Sequence, residues 1–225
     1  SYIITYLQIA TNGNLQQYQT MGFFQDRMYG LLTSYDDEII NYGFLENFAP
    51  GSYNRPSVMT MDQNLNIQVK RNWRPSTGSN PEPQNGEQYS RWMGQFSDST
   101  YVIVSQFSVF NNNSQQWRFK LLDKNFNLTS VRGLTGNANP DRINSGCVNP
   151  DNTFMVVGST ENYGATLQDG FIGKFDQQGN PIWLKRYGSA GDEQFESIIP
   201  DGNGGHFAVG HTTSFGAGQE DGLIA

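Results

Sequence analysis

The chain has 225 residues, of which 36 % are hydrophobic, 13 % aromatic and 16 % charged, and it carries a formal net charge of −7. The aromatic content can supply a core, which excludes gross disorder, while 25 glycines and few ions suit short strands and tight turns better than long helices. No cluster of Lys and Arg provides a footprint for nucleic acid or anionic lipid, and no run approaches the ~20 apolar residues of a membrane helix, so neither nucleic-acid binding nor membrane insertion is expected.

In chain order, the opening stretch 2–9 already reads as a strand and is followed by a turn at Thr11-Asn12-Gly13-Asn14. Strand-like runs follow at 28–35, 38–45, 57–61 and 67–73, and then a Pro/Ser/Gly-rich stretch at 75–86 reads as a surface loop. A second group occupies 89–96, 101–107, 117–122 and 128–132, and a third 143–148, 154–159, 170–175 and 181–187. Runs at 194–199 and 206–213 open a further group, and Asp221-Gly222-Leu223-Ile224-Ala225 reads as the start of another strand. The expectation from both ends is a segment cut from something longer.

These groups repeat. Gly158 and Gly210, Gly164 and Gly216, and Asp169 and Asp221 all lie 52 positions apart, inside the matching stretches 156–172 and 208–224. A second marker is a turn that ends in Asn: Asp62 to Asn66, Asp123 to Asn127 and Asp176 to Asn180, with a degenerate copy at Asn14. Asp opens such a turn by accepting from its own backbone, and Gly or Asn then takes the positive φ. Where Leu65 and Phe126 stand in the place of Gly179, a different turn geometry is expected. The Asp and Asn residues themselves are read as turn chemistry, not ligand binding.

Four short strands recurring at this period have one strong architectural solution. The fold expected is all-β: a β-propeller of four-stranded antiparallel blades, with a repeat of about 52 residues. Blades are expected at 26–73, 88–132 and 141–187, with an incomplete one at 192–225 and the end of one at 1–22. The stretches 2–9 and 221–225 both look like third strands and would compete for one place, which favours part of a larger ring.

Residues 169–183, reading Asp169-Gly170-Phe171-Ile172-Gly173-Lys174-Phe175-Asp176-Gln177-Gln178-Gly179-Asn180-Pro181-Ile182-Trp183, are followed by Tyr187-Gly188-Ser189-Ala190-Gly191-Asp192. This pattern resembles the SBBP repeats, a bacterial-type β-propeller repeat of large secreted and surface proteins. The match is strongest over 141–225. The resemblance implies a propeller and an extracellular or cell-surface setting, and it implies no shared catalytic residues.

A search for chemistry finds little. His206 and His211 lie five apart on one strand and so face opposite sides, which argues against a two-His metal site. No strained Gly-x-Ser-x-Gly turn and no phosphate loop occurs. Asp36-Asp37-Glu38 and Asp192-Glu193 lack the alternating oxygen ligands of a Ca²⁺ loop and are read as solvated turns. No catalytic residue, metal or cofactor is therefore expected. Trp73, Trp92 and Trp117 are read as core residues, though exposed tryptophans could stack on sugars. The single cysteine, Cys147, excludes an intrachain disulfide and is read as a buried, inert thiol. Asn112 and Asn127 head glycosylation sequons. The function expected is a noncatalytic extracellular propeller that mediates interaction, adhesion or assembly, its partners being other proteins of a surface assembly or glycans. The competing expectation is a carbohydrate-binding or carbohydrate-active propeller with a site in the central channel.

Overall fold

A computed structural model describes residues 2–23, 26–34, 38–45, 55–73, 86–109, 115–134, 141–161, 165, 167–216 and 218–225. The chain is an all-β propeller, and the described residues contain no helix. It opens with a hairpin of β1 (Tyr2–Ile9) and β2 (Leu15–Phe23). Blade 1 comprises β3 (Asp26–Thr33), β4 (Ile39–Leu45), β5 (Arg55–Met61) and β6 (Ile67–Asn72). Blade 2 comprises β7 (Gly86–Gln95), β8 (Tyr101–Val109), β9 (Gln115–Leu122) and β10 (Leu128–Leu134). Blade 3 comprises β11 (Asp141–Val148), β12 (Phe154–Thr160), β13 (Asp169–Phe175) and β14 (Pro181–Tyr187). Blade 4 is a three-stranded sheet of β15 (Glu193–Pro200), β16 (His206–Thr212) and β17 (Asp221–Ile224). Every blade is an antiparallel meander in sequence order.

Strand alternation builds the stack. In β8, Val102 and Val104 point one way and Tyr101 and Ile103 the other. The first pair joins Phe119 and Trp117 against Ile143, Phe154, Val156 and Phe175 of blade 3. The second joins Leu122 and Phe126 against Ile40, Tyr42, Val58 and Trp73 of blade 1. Met155, Val157 and Ile172 on the other face of blade 3 meet Phe195, Ile198 and Ala208 of blade 4. Each inner blade therefore has a forward face, toward the next blade, and a backward face, toward the preceding one. Both are buried, which is why the central strands read as nearly continuous apolar runs.

The tryptophans follow this logic. Trp73 and Trp117 are buried, and Trp92 packs against the core between blades 2 and 3, stacked on Phe154 with centroids 6.3 Å apart.

The outer hairpin turns are the same in every copy. Asp62, Asp123 and Asp176 each donate their backbone N–H to the carbonyl of the Asn four residues on, at 3.0, 2.9 and 2.9 Å. Each Asp carboxylate in return accepts from that Asn's backbone and side-chain N–H groups. Ala10 and Asn14 make the same backbone bond at 2.8 Å. The expectation of a different geometry at Leu65 and Phe126 is overturned: both take positive φ, 62° and 61°, in the place where Gly13 and Gly179 have 84° and 79°. Burial supplies the compensation. Both side chains are buried, Phe126 stacks on Tyr101 at 4.8 Å, and its carbonyl accepts from Trp73 Nε1 at 3.3 Å.

Candidate functional site

The first strand of each blade carries the same irregularity. In all four blades the register with the second strand slips by one residue, leaving Tyr29, Arg91, Asn144 and Glu196 as the extra residues. Such bulges re-aim a side chain without ending the pairing. Directly across, Gly158 and Gly210 allow the first strand to come close. A Cβ on either would collide with the carbonyl oxygen of Arg142 or Gln194.

Between blades 2 and 3, the bulges open a polar cleft of about 230 Å³, lined by Arg91, Gln106, Trp117, Arg142, Ile143 and Asn144. Arg91 Nη2 donates to Gln106 Oε1 at 3.4 Å, and Asn144 Nδ2 donates to the Phe195 carbonyl of blade 4 at 2.8 Å. Trp117 holds its indole N–H on the Asp141 carbonyl, which fixes the wall of the cleft. Arg91 and Arg142 both line this space in a chain of net charge −7. A guanidinium presents a planar fork of donors matched to carboxylate, phosphate or sulfate oxygens.

The polar row continues onto blade 4. Ser159 Oγ donates to Gln194 Oε1 at 3.4 Å, and Gln194 Nε2 donates to Glu196. His211 Nδ1 stands 3.8 Å from Glu196 and 4.0 Å from Glu220. His206 lies elsewhere, its Nε2 bonded at 2.8 Å to Asn149 Oδ1. The two histidines have separate partners, as their spacing requires.

A second polar cluster clasps blade 3 to blade 4. The reading of Asp192-Glu193 as a solvated turn holds for Asp192 and fails for Glu193, which is buried. Its Oε1 accepts from Thr212 Oγ1 at 2.7 Å and its Oε2 from the Ser189 backbone at 3.0 Å, so buried donors replace water. Asp169, also buried, accepts from Arg186. Asp36 and Asp37 lie outside the described residues, as does Asn112.

At the opposite end of the blade 2–3 junction is a cleft of about 420 Å³, with Asp98, Asp123, Arg132 and Gln177 on its walls. Its carboxylates are consumed by turns. Asp98 accepts from Thr100 Oγ1 at 2.6 Å and from Gln177 Nε2 at 2.7 Å, and these bonds, with Thr100 dominant, hold its carboxyl below the usual range. Asp123 is lowered in the same way, chiefly by the Asn127 side chain. Asn127 is exposed, but its amide nitrogen is engaged with Asp123 Oδ2 at 2.8 Å.

Cys147 is half-buried, and burial pushes its thiol up to about 11. Among the described residues no group of three or more His, Cys, Asp and Glu side chains is arranged to hold a metal ion.

Sequence reasoning missed the arginine cleft. A signal was present: Asn144 and Glu196 are polar interruptions of apolar strands, and they lie 52 positions apart.

The fold places this chain in the class of β-propellers. No family profile matches it, and no curated protein matches it in sequence. Among solved structures it is similar to a protein provisionally assigned as an exo-beta-1,3-galactanase from Bifidobacterium bifidum s17, at 13 % identity and a TM-score of 0.49. The similarity covers 80 % of this chain and 60 % of that one.

Proposed function

We propose that the chain is a noncatalytic binding propeller, working outside the cell or at its surface, that grips an acidic side chain of a partner protein in the cleft between blades 2 and 3. The observation that carries this reading is that Arg91 and Arg142 line one small cleft together with Gln106 and Asn144. A space of about 230 Å³ is below the ~300–1,000 Å³ of typical ligand pockets and suits a single carboxylate group better than an extended chain. The extracellular setting is supported by the SBBP-like repeat over 141–225.

The carbohydrate reading is less well supported at this cleft. Its tryptophan, Trp117, is buried with its indole N–H already committed, and so does not offer the open face on which a sugar stacks.

The test uses two probes of equal length, a Glu-rich peptide and its Gln counterpart, titrated against the chain by calorimetry. The Glu peptide should bind, weaken with added salt, and lose affinity about tenfold in Arg142→Ala or Arg91→Ala, as expected for a charge-assisted bond. Equal binding of both peptides, or unchanged affinity in both variants, would overturn the reading.

A further inference from the structure

The outer turns of the blades differ at one position. Leu65 in blade 1 and Phe126 in blade 2 fill it with a buried side chain, whereas Gly179 in blade 3 has none to offer. Arg132 of blade 2 takes up that room: its Cγ lies 3.2 Å from where a Cβ on Gly179 would stand. The aliphatic stem of Arg132 is thus laid against the turn of the next blade. Among the described residues its guanidinium has neither a hydrogen bond nor an ion pair.

Arg132 lines the cleft of about 420 Å³ at the outer end of the blade 2–3 junction. That volume falls within the ~300–1,000 Å³ of small-molecule sites. Blade 2 also contributes Asp98, Asp123, Thr129 and Ser130 to the lining, and blade 3 contributes Gln177. Gln177 Nε2 donates to Asp98 Oδ2 at 2.7 Å and to Thr100 Oγ1 at 3.2 Å, which fixes one wall across the junction. The turns hold both carboxylates in place, and each keeps an outer oxygen with acceptor capacity to spare. Asp98 Oδ2 takes one donor among the described residues, from Gln177, and Asp123 Oδ2 takes one, from Asn127 Nδ2. A carboxylate oxygen has room for a second. Hydrogen bonding, led by Thr100 at Asp98 and by Asn127 at Asp123, keeps both groups ionised at neutral pH.

This balance of charge selects the ligand. A free anion meets two carboxylates, and a free cation meets an arginine with no counter-ion. A sugar hydroxyl carries no charge and both donates and accepts, so it can give to a carboxylate while receiving from the guanidinium. Leu121, also in the lining, adds an apolar element for the C–H face of a ring.

We propose that this cleft binds a neutral sugar ring, whose hydroxyls donate to Asp98 and Asp123 and accept from Arg132. The site lies at the opposite end of the junction from the arginine cleft and does not depend on it.

The test titrates the whole chain by calorimetry with methyl glucoside, methyl galactoside and methyl mannoside, and with glucuronate and protonated glucosamine as charged counterparts. At least one neutral glycoside should bind saturably, and more tightly than either charged sugar. Arg132→Met keeps the stem and removes the donors, so affinity should fall about tenfold, as for a hydrogen bond to a charged group. Arg132 is exposed, so its circular dichroism should match wild type. Absence of saturable binding by all three glycosides, equal binding to wild type and Arg132→Met, or tighter binding of a charged sugar would overturn the proposal.

Discussion

Replacing Phe126 separates two opposed energies in one residue. The residue sits at φ 61°, a left-handed conformation that costs an L-residue with a Cβ roughly 1 kcal/mol. Its ring is buried and stacked on Tyr101, and truncating such a ring costs about 3–5 kcal/mol. Phe126→Ala loses the ring and keeps the backbone cost, so it should destabilise by about 3–5 kcal/mol. Phe126→Gly loses the same ring but relieves the backbone, so its loss should be about 2–4 kcal/mol. The glycine variant should therefore be the more stable of the two by about 1 kcal/mol, the reverse of the order seen in ordinary strands. Urea unfolding followed by tryptophan fluorescence reads this directly, since Trp73 donates to the Phe126 carbonyl. An alanine variant as stable as the glycine variant would refute the account of strain offset by burial. So would a glycine variant more stable than wild type, because burial of the ring would then not outweigh the backbone cost.

Gly158→Ala should destabilise by about 1–3 kcal/mol, because the new Cβ meets the Arg142 carbonyl and the strand must shift to admit it; calorimetry of this variant beside an exposed Gly222→Ala control checks it. Hydrogen bonding lowers the carboxyls of Asp62, Asp98, Asp123 and Asp151, each led by the side chain of Asn66, Thr100, Asn127 or Thr153. Stability from these groups is present above the ordinary carboxylate pKa of about 4 and is lost as pH falls through the lowered folded values. The melting temperature should hold near neutrality and drop below about pH 4, more shallowly in Asp98→Asn/Asp123→Asn. Cys147, raised to about 11, should react with a disulfide reagent at pH 8 about a hundredfold more slowly than in the urea-unfolded chain.

The repeat was legible because it is written in local chemistry. The Asp-to-Asn turns at 62–66, 123–127 and 176–180 announce themselves by residue type, and unbroken apolar runs such as 101–104 mark strands buried on both faces. What escaped depends on a partner distant in sequence. Glu193 looks like half of an acidic turn until Thr212 and Ser189 close around it. Phe126 looks wrong for a positive φ until Tyr101 and Trp73 receive it. The cleft escaped for a third reason: a bulge is a mismatch between two strands, so Arg91 and Asn144 become neighbours only once both registers are known.

The recurrence of the bulge separates two jobs that usually constrain each other. Tyr29, Arg91, Asn144 and Glu196 occupy one structural slot with four different chemistries: aromatic, cationic, amide and acidic. The extra residue contributes no ladder bond of its own, so its identity can drift while the sheet around it stays fixed. The slot can be changed one blade at a time, as a combination lock is reset wheel by wheel without recasting its case.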